Sequence, residues 1–565
     1  MLSCQRTRNG AGRRYLFTAC LIAGLATPAL SQTLQTREQP LDRYPEGVPI
    51  PRSLTPEEAE ILKRDPLVAG NLRVAPPGLV RTPAEYDPCE AIMIAWEGTS
   101  TWLDILANMA REITTLGDAR VIVWVDTASE QTTAATSIAN AGANMAKVEF
   151  RVRTTDTIWI RDYGPRYIMM GTQPDGSGGV RAIVDHTYNR PRLNDNAIPA
   201  YWANLRNQPV FLLPLIHGGG NYHLESGNPE GVGHATNLIV NENPLLDASQ
   251  IIDYWRDYLN LETTLYTPYP TAVDSTQHID MWMILLDDNK VMISQWVNEP
   301  AASWAITSDN AAAAFAARGF TVYRVPAVRF GGTHYTFTNA VICNDLVLIP
   351  SYTNGTASPH NATALAVWQS AYPDKTIRQI NSQAIVTSAG VLHCIIMHIP
   401  AAAGGTSPTA YITTLNDGTA LDPGTQQEIR WLTDDDVGAT TADLLLSTDG
   451  GQTFPTVIAA NVSAPGGLYN WTVPDVATTQ AVVRIVVRDA DNNSGFDDTD
   501  MLFAINGSPP CAGDFNGDGE VDFFDVAAFL DAFSNELPEA DLNGDGEHDF
   551  FDVSLFLAAF SEGCP

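Results

Sequence analysis

Positive charge is what this sequence has least of. Against 65 Asp and Glu it carries 32 Lys and Arg, a formal charge of −33, and residues 511–565 hold 14 acids with neither Lys nor Arg. Such a deficit argues against nucleic acid and anionic membranes as partners and for cationic partners or bound cations. Long apolar runs are also missing. YLFTACLIAGLATPAL near the N-terminus is too short for a comfortable membrane span, and no later segment could cross a bilayer. Arg6, Arg8, Arg13 and Arg14 precede that run, and small residues in Ala29-Leu30-Ser31 stand where a signal peptidase cuts. Residues 1–31 are therefore expected to be a signal peptide on a secreted or cell-surface protein, with Arg13-Arg14 leaving Sec or twin-arginine export open. Cysteine is scarce and uneven. Export leaves Cys89, Cys343, Cys394, Cys511 and Cys564, an odd set that keeps at least one thiol free or intermolecular. Cys511 and Cys564 bracket the acidic tail as a natural pair; whether Cys89 and Cys343 pair stays open.

What is present is a folded, multidomain chain. The 45% hydrophobic and 9% aromatic content suits a folded protein, and 565 residues exceed one core. Residues 32–75 are polar and proline-rich, with one short helix signalled by Thr55 as N-cap, Pro56 in the first turn and Glu58 completing a capping box. From 76 to 403, β-like runs alternate with helical patterns. VIVWV (121–125), NLIV (237–240), KVMIS (290–294) and LVLIP (346–350) predict strands; 102–113 and 308–319 predict helices, the second closed by Gly319. This is a mixed α/β domain. After the flexible run AAAGGTSP (401–408), residues 409–507 show short strands between Asp-Gly and Gly-Gly turns and no helix, the pattern of an antiparallel β-sandwich. STDGGQTF and YNWTVP resemble small Ig-like modules appended to secreted bacterial enzymes, which implies a spacer.

The tail, 511–565, is an internal repeat of period 27: DFNGDGEVDFFDVAAFLDAF (514–533) recurs as DLNGDGEHDFFDVSLFLAAF (541–560). Oxygen donors recur at calcium-loop spacing: Asp514, Asn516, Asp518, Glu520, Asp522 and Asp525, then Asp541, Asn543, Asp545, Glu547, Asp549 and Asp552. Hard oxygen ligands at alternating positions wrap the ion, and Gly519 and Gly546 permit the sharp turn. Aspartate at the last position resembles dockerin-type loops. That resemblance implies a small α-helical anchoring domain, bound calcium and a docking partner.

Four phrases in the large domain remain: TIWIRDYGPRY (157–167), HGGGNYHLESG (217–227), STQHIDMW (275–282) and GVLHC (390–394). Singly each has a dull explanation. Asp162 could pair with Arg161 or Arg166, and His278 could be a core histidine. The glycines 218–220 lack the Gly-Lys-Ser/Thr of a phosphate loop. His393, Cys394 and His398 could mimic a metal site, but strand alternation would send His393 and Cys394 to opposite faces. Together they fit one chemistry. Two carboxylates can grip a planar guanidinium, a thiolate can attack its central carbon, and a histidine can protonate the departing ammonia and activate water. A bound cation and a nearby histidine are expected to raise the thiolate fraction of the cysteine.

These phrases resemble the bacterial (Porphyromonas-type) peptidylarginine deiminase family, related to agmatine deiminases, over roughly residues 76–400. RTPAEYDPCEAIMIAW (81–96) resembles its opening strand and TFTNAVICNDLVLIP (336–350) the strand with an active-site asparagine. The resemblance implies a five-fold pseudosymmetric α/β propeller with no catalytic cofactor. It assigns Cys394 as nucleophile, His278 as catalytic histidine, Asp162 and Asp280 as guanidinium-binding acids, and Asn339 beside them. Trp159 is implied beside the substrate, and TYNRPR (187–192) resembles the segment that holds a peptide carboxylate, implicating Arg190 and Arg192. Glu225 and Ser226 stand where Asp-Gly would be expected, and Ser275 where an aromatic might line the pocket; Glu225 is carried as a substrate-binding candidate. The implied reaction converts peptidyl arginine, expected at a C-terminus, to citrulline and ammonia. The alternatives are a deiminase of agmatine or another small guanidine, and a non-catalytic binding protein recruited through the tail.

Overall fold

The computed structural model describes residues 44, 47–70, 74–226, 231–507 and 512–563. The expected signal peptide and the Cys511–Cys564 pair lie outside these residues.

Residues 80–400 form five small sheets, each built on one plan. A first strand pairs antiparallel with a second, and the second pairs parallel with a third reached through helix. Parallel neighbours cannot be joined by a tight turn, so each needs a crossover. Ser100–Leu116, Ile198–Arg206, Ala248–Leu259, Ser303–Ala317 and Asn361–Ala371 serve here. The second strands are Cys89–Ala95, Val180–Tyr188, Gly231–Thr236, Lys290–Trp296 and Leu346–Ser351. Most are buried on both faces, hence their near-continuous apolar sequences. One sheet takes its first strand from the far end of the domain: Met397–Pro400 pairs with Cys89–Ala95. The ring is thereby closed as a five-bladed α/β propeller.

NLIV departs from its expected strand. It lies in the helix Leu238–Glu242, with only Ile239 buried; four apolar residues carry too little periodicity to separate the two states. The capping box is formed as expected, Thr55 and Glu58 bonding reciprocally at the start of Pro56–Arg64. Gly319 follows Ser303–Ala317 at φ +90°, a conformation that favours glycine. Cys89, Cys343 and Cys394 are free thiols. The hydrogen bond shared with Cys343, and then burial, push the Cys89 thiol up.

Residues 409–506 form two sheets around a core that includes Ile429, Trp431, Leu444, Trp471, Val483 and Phe503. The linker before them is not a free hinge. Arg181, buried in the propeller, donates twice to Asp434 at 2.8 and 2.9 Å, and Tyr411 packs into the propeller's apolar cluster. The tail helices Phe523–Ser534 and Phe550–Glu562 stack Phe529 on Phe556 with ring centroids 4.2 Å apart. No helix of the described residues is long and apolar enough to cross a membrane.

Candidate active site

Five segments converge where the blades meet, each directly before a blade's first strand: Ile160–Tyr163, Gly219–Asn221, Ile279–Met281, residues 338–340 and His393–Ile395. They supply Asp162, Gly220, Asp280, Asn339 and Cys394, all buried. Close approach dictates the glycines. A Cβ on Gly219 would lie 2.3 Å from the Arg161 carbonyl oxygen, so these two turns meet backbone to backbone.

At the centre lies the guanidinium of Arg52, from the stretch ahead of Pro56–Arg64. It stands in for a substrate guanidinium. Asp162 accepts from Nε at 2.8 Å and Nη2 at 2.6 Å. Asp280 accepts from Nη1 at 3.1 Å and Nη2 at 2.9 Å. Cys394 Sγ lies 2.6 Å from Nη1, and His278 Nδ1 2.8 Å from Nη2. A Cβ on Gly220 would sit 1.8 Å from Nη2, so this position must be bare for a guanidinium to enter.

The charges hold one another in place. Burial disfavours the guanidinium charge, but Asp162 and Asp280 keep the Arg52 pKa well above the usual arginine value. Burial likewise opposes both carboxylates, and Arg52 nonetheless holds them below the usual carboxylate range. Cys394 behaves otherwise. Burial pushes its thiol well up, the guanidinium pulls against that, and Asp280 and Asp162 push it up again. The bound cation thus acts on the thiol in the expected direction, and burial with the two carboxylates acts against it. His278 faces the guanidinium, its Nδ1 also 3.4 Å from Asp162 Oδ1. A guanidinium nitrogen can only donate, so Nδ1 faces it as an acceptor.

Asn339 ties Cys394 to the main chain around it. Its Nδ2 donates to Cys394 Sγ at 3.1 Å, and its Oδ1 accepts from the His393 and Val391 amides at 3.1 and 3.3 Å. His393 was expected on a strand, facing away from Cys394. The strand begins only at Met397, and His393–Ile395 is a 3-10 turn, so alternation does not apply. His393 Nδ1 lies 2.9 Å from Asp280 Oδ2 and its Nε2 2.7 Å from Glu85 Oε2. Sequence reasoning missed this positioning role of His393 and Glu85, although Glu85 lies in the quoted stretch 81–96.

The remaining candidates sort clearly. Trp159 Nε1 donates to the Ile50 carbonyl at 2.8 Å. Arg190 donates to the Arg52 carbonyl at 3.1 Å. Arg192 donates to the Pro51 carbonyl at 2.7 Å and pairs with Glu58 at 2.8 Å. Both arginines line the main chain around Arg52 and are not exposed loop residues. Glu225 is corrected: it bonds Arg318 at 2.7 and 2.6 Å and His234 at 2.8 Å, away from the guanidinium. A structural pair for Asp162 is also ruled out, since Arg161 bonds Glu85 and Arg166 bonds the Gly219 carbonyl.

Glu85, His223 and His393 are the one group of three His, Cys, Asp or Glu side chains among the described residues with ligand atoms within 4.8 Å of one another. Arg161 already places a cation there, 2.9 Å from Glu85. In the tail, Asp514 accepts from the Gly517, Asp518 and Gly519 amides and Asp541 from the matching Gly544, Asp545 and Gly546. Asp525 and Asp552 accept from the Asn516 and Asn543 amides. The donors fit a hard cation in kind and in their spacing along the sequence.

Comparison with known proteins points the same way. The chain is 23% identical to a putative agmatine deiminase of Streptomyces avermitilis over 351 residues, covering 57% of this chain and 97% of that protein. It is 26% identical to an agmatine deiminase of Ectopseudomonas mendocina over 298 residues, 44% of this chain and 76% of that one. The solved agmatine deiminase of Enterococcus faecalis shares the propeller fold at a TM-score of 0.50 and 18% identity, over 59% of this chain and 99% of its own. Residues 81–400 match the family model of the Porphyromonas-type peptidyl-arginine deiminases. That match spans more than half of the chain, which belongs to this family.

Proposed function

We propose that the protein is an exported enzyme that hydrolyses guanidino groups, converting peptidyl arginine to citrulline and ammonia without a catalytic cofactor. The observation that carries this reading is an arginine within a peptide segment, seated with its guanidinium against two carboxylates, a thiol and a histidine. The thiol proton passes to His278 Nδ1 and Sγ bonds to Cζ. Nη2, the nitrogen facing His278, takes that proton and leaves as ammonia. The result is a thiouronium on Cys394. Water then adds to Cζ, giving up a proton to His278; the C–S bond breaks and His278 returns that proton to Sγ, restoring the thiol. Oxygen has replaced one nitrogen, and ammonia carries off water's other proton as ammonium.

Arginine in a peptide is favoured over a small guanidine by the grip on its main chain. The Arg52 carbonyl oxygen held by Arg190 would be a carboxylate oxygen in an arginine at a C-terminus. Agmatine lacks that group; it is the second reading because the relatives above carry its name. Arg190→Ala tests the choice. A charged hydrogen bond is worth about 1.5–3 kcal/mol, so kcat/KM on arginyl peptides should fall roughly ten- to hundredfold, with a smaller loss on agmatine. Equal losses on both would favour agmatine.

The Ig-like reading of residues 409–507 and the dockerin-like reading of the tail complete the proposal, as a spacer and an anchor. Phe523, Phe524, Phe550 and Phe551, at the start of the two tail helices, are 64–76% exposed and offer the docking partner an apolar surface. Calcium would be held by the carboxylates and Asn side chains of 514–525 and 541–552, neutralising crowded negative charge. Saturating calcium should then raise the tail's melting temperature, by about 2.7 kcal/mol of stability at a hundred times Kd. An identical melt in calcium and in chelator would remove calcium from the account.

A further inference from the structure

Arg52 belongs to this chain, and nothing in the hydrolysis of external arginine requires it. Its guanidinium is wholly buried and occupies the site completely. Its main chain is equally engaged: the Arg52 amide donates to the Ser388 carbonyl at 3.0 Å, and Arg190, Arg192 and Trp159 take the carbonyls of Arg52, Pro51 and Ile50. A second anchor stands just downstream. Glu58 is buried, bonds Arg192 at 2.8 Å, and accepts from Tyr44 at 2.8 Å. The segment is thus laid through the site as a peptide substrate would be and tied down beyond it. Tethering keeps the arginine at an effective concentration of about millimolar or more, which an external substrate must match.

We infer that Arg52 is the enzyme's own first substrate, deiminated in cis, and that the segment bearing it closes the site until that turnover. This rests on the activity proposed above. The bond changes are those of that reaction: Nη2 leaves as ammonia and water supplies the oxygen that replaces it on Cζ.

Opening follows from where the oxygen appears. Nη2 donates to Asp162 Oδ1 at 2.6 Å and Asp280 Oδ2 at 2.9 Å, with His278 Nδ1 at 2.8 Å. A carbonyl oxygen in its place is an acceptor facing two carboxylates. The cation that neutralised those carboxylates is lost in the same step, and a buried pair deprived of one charge is strongly destabilised. Residue 52 should loosen by roughly 10²–10⁴-fold. The Glu58–Arg192 anchor is untouched, so the helix can stay while the stretch ahead of it withdraws.

The test uses full-length protein and peptide mass spectrometry across residue 52. Citrulline at 52 in the wild type and arginine at 52 in Cys394→Ala is the expected result. Cys394→Ala incubated with active Arg52→Gln protein should keep its arginine, because the donor must be the same chain. Arg52→Gln should turn over an added arginyl peptide without a lag. Should Arg52 remain arginine in a wild type that converts added peptide at once, the inference fails and the proposed activity stands. If Arg52 stays arginine while Arg52→Gln is the faster enzyme, the segment is an inhibitor only, and self-deimination is overturned. Conversion of Cys394→Ala by the second protein would overturn the cis step. Absence of peptide conversion in both the wild type and Arg52→Gln would defeat the activity itself.

Discussion

Replacing Cys394 with alanine should abolish ammonia release from every guanidino substrate, a fall on the order of a millionfold, as expected when a covalent nucleophile is removed. Binding should survive. Asp162 and Asp280 make four of the contacts to the guanidinium and none depends on sulfur. A non-hydrolysed arginyl peptide should therefore still bind Cys394→Ala once residue 52 is also neutral, as in the double variant with Arg52→Gln. The pH profile gives an independent sign. Burial raises the thiol pKa and the guanidinium only partly offsets it. The reactive fraction grows as pH rises, so kcat should climb through neutrality and past the ordinary thiol pKa. A kcat that levels off on the acid side of neutrality would mean the thiolate is already formed at rest.

Asparagine at Asp162 should cost nearly as much by another route. The side chain keeps its shape and loses its charge, leaving a buried guanidinium with half its counter-charge. Removing one partner of a buried pair costs about 3–5 kcal/mol, or roughly 10²–10⁴ in kcat/KM. Asp162 should be the more sensitive acid. It takes Nε and Nη2 side by side at 2.8 and 2.6 Å and a further bond from the Gly220 amide at 3.1 Å. Asp280 is set differently, its Oδ2 shared between Nη2 and His393 at 2.9 Å each. Steady-state kinetics on an arginyl peptide measures both. A tenfold or smaller loss for Asp162→Asn would show that the carboxylate is not the grip.

The residues that converge on the guanidinium were legible because each belongs to a short phrase whose composition has a chemical reason: Asp162 in WIRDYG, Asp280 with His278 in HIDMW, Cys394 in GVLHC. The central strands were legible because strands buried on both faces read as apolar runs. What failed did so for identifiable causes. NLIV was too short to show a period. The step from His393 to Cys394 was read as strand when it is a tight turn, and this hid the contact between His393 and Asp280. The ring itself could not be read from periodicity, because its closure pairs Met397 with Met93, some three hundred residues apart along the chain. It entered through resemblance. Glu225 was assigned by position in a phrase, yet its strand turns it toward Arg318. Arg52 sat in a proline-rich stretch where no pattern marks one arginine above another; only the two facing carboxylates single it out.

The claim on which the rest depends is that this site turns a guanidino carbon into a ureido carbon. The direct measurement is product analysis of one arginyl peptide, counting citrulline and ammonia formed by the wild type and by Cys394→Ala under the same conditions. The chemistry above predicts the two products in equal amounts from the wild type and neither from the variant. Wild-type and Arg52→Gln proteins that both leave the peptide's arginine, agmatine and free arginine unconverted, or a Cys394→Ala enzyme that still makes citrulline, would contradict it.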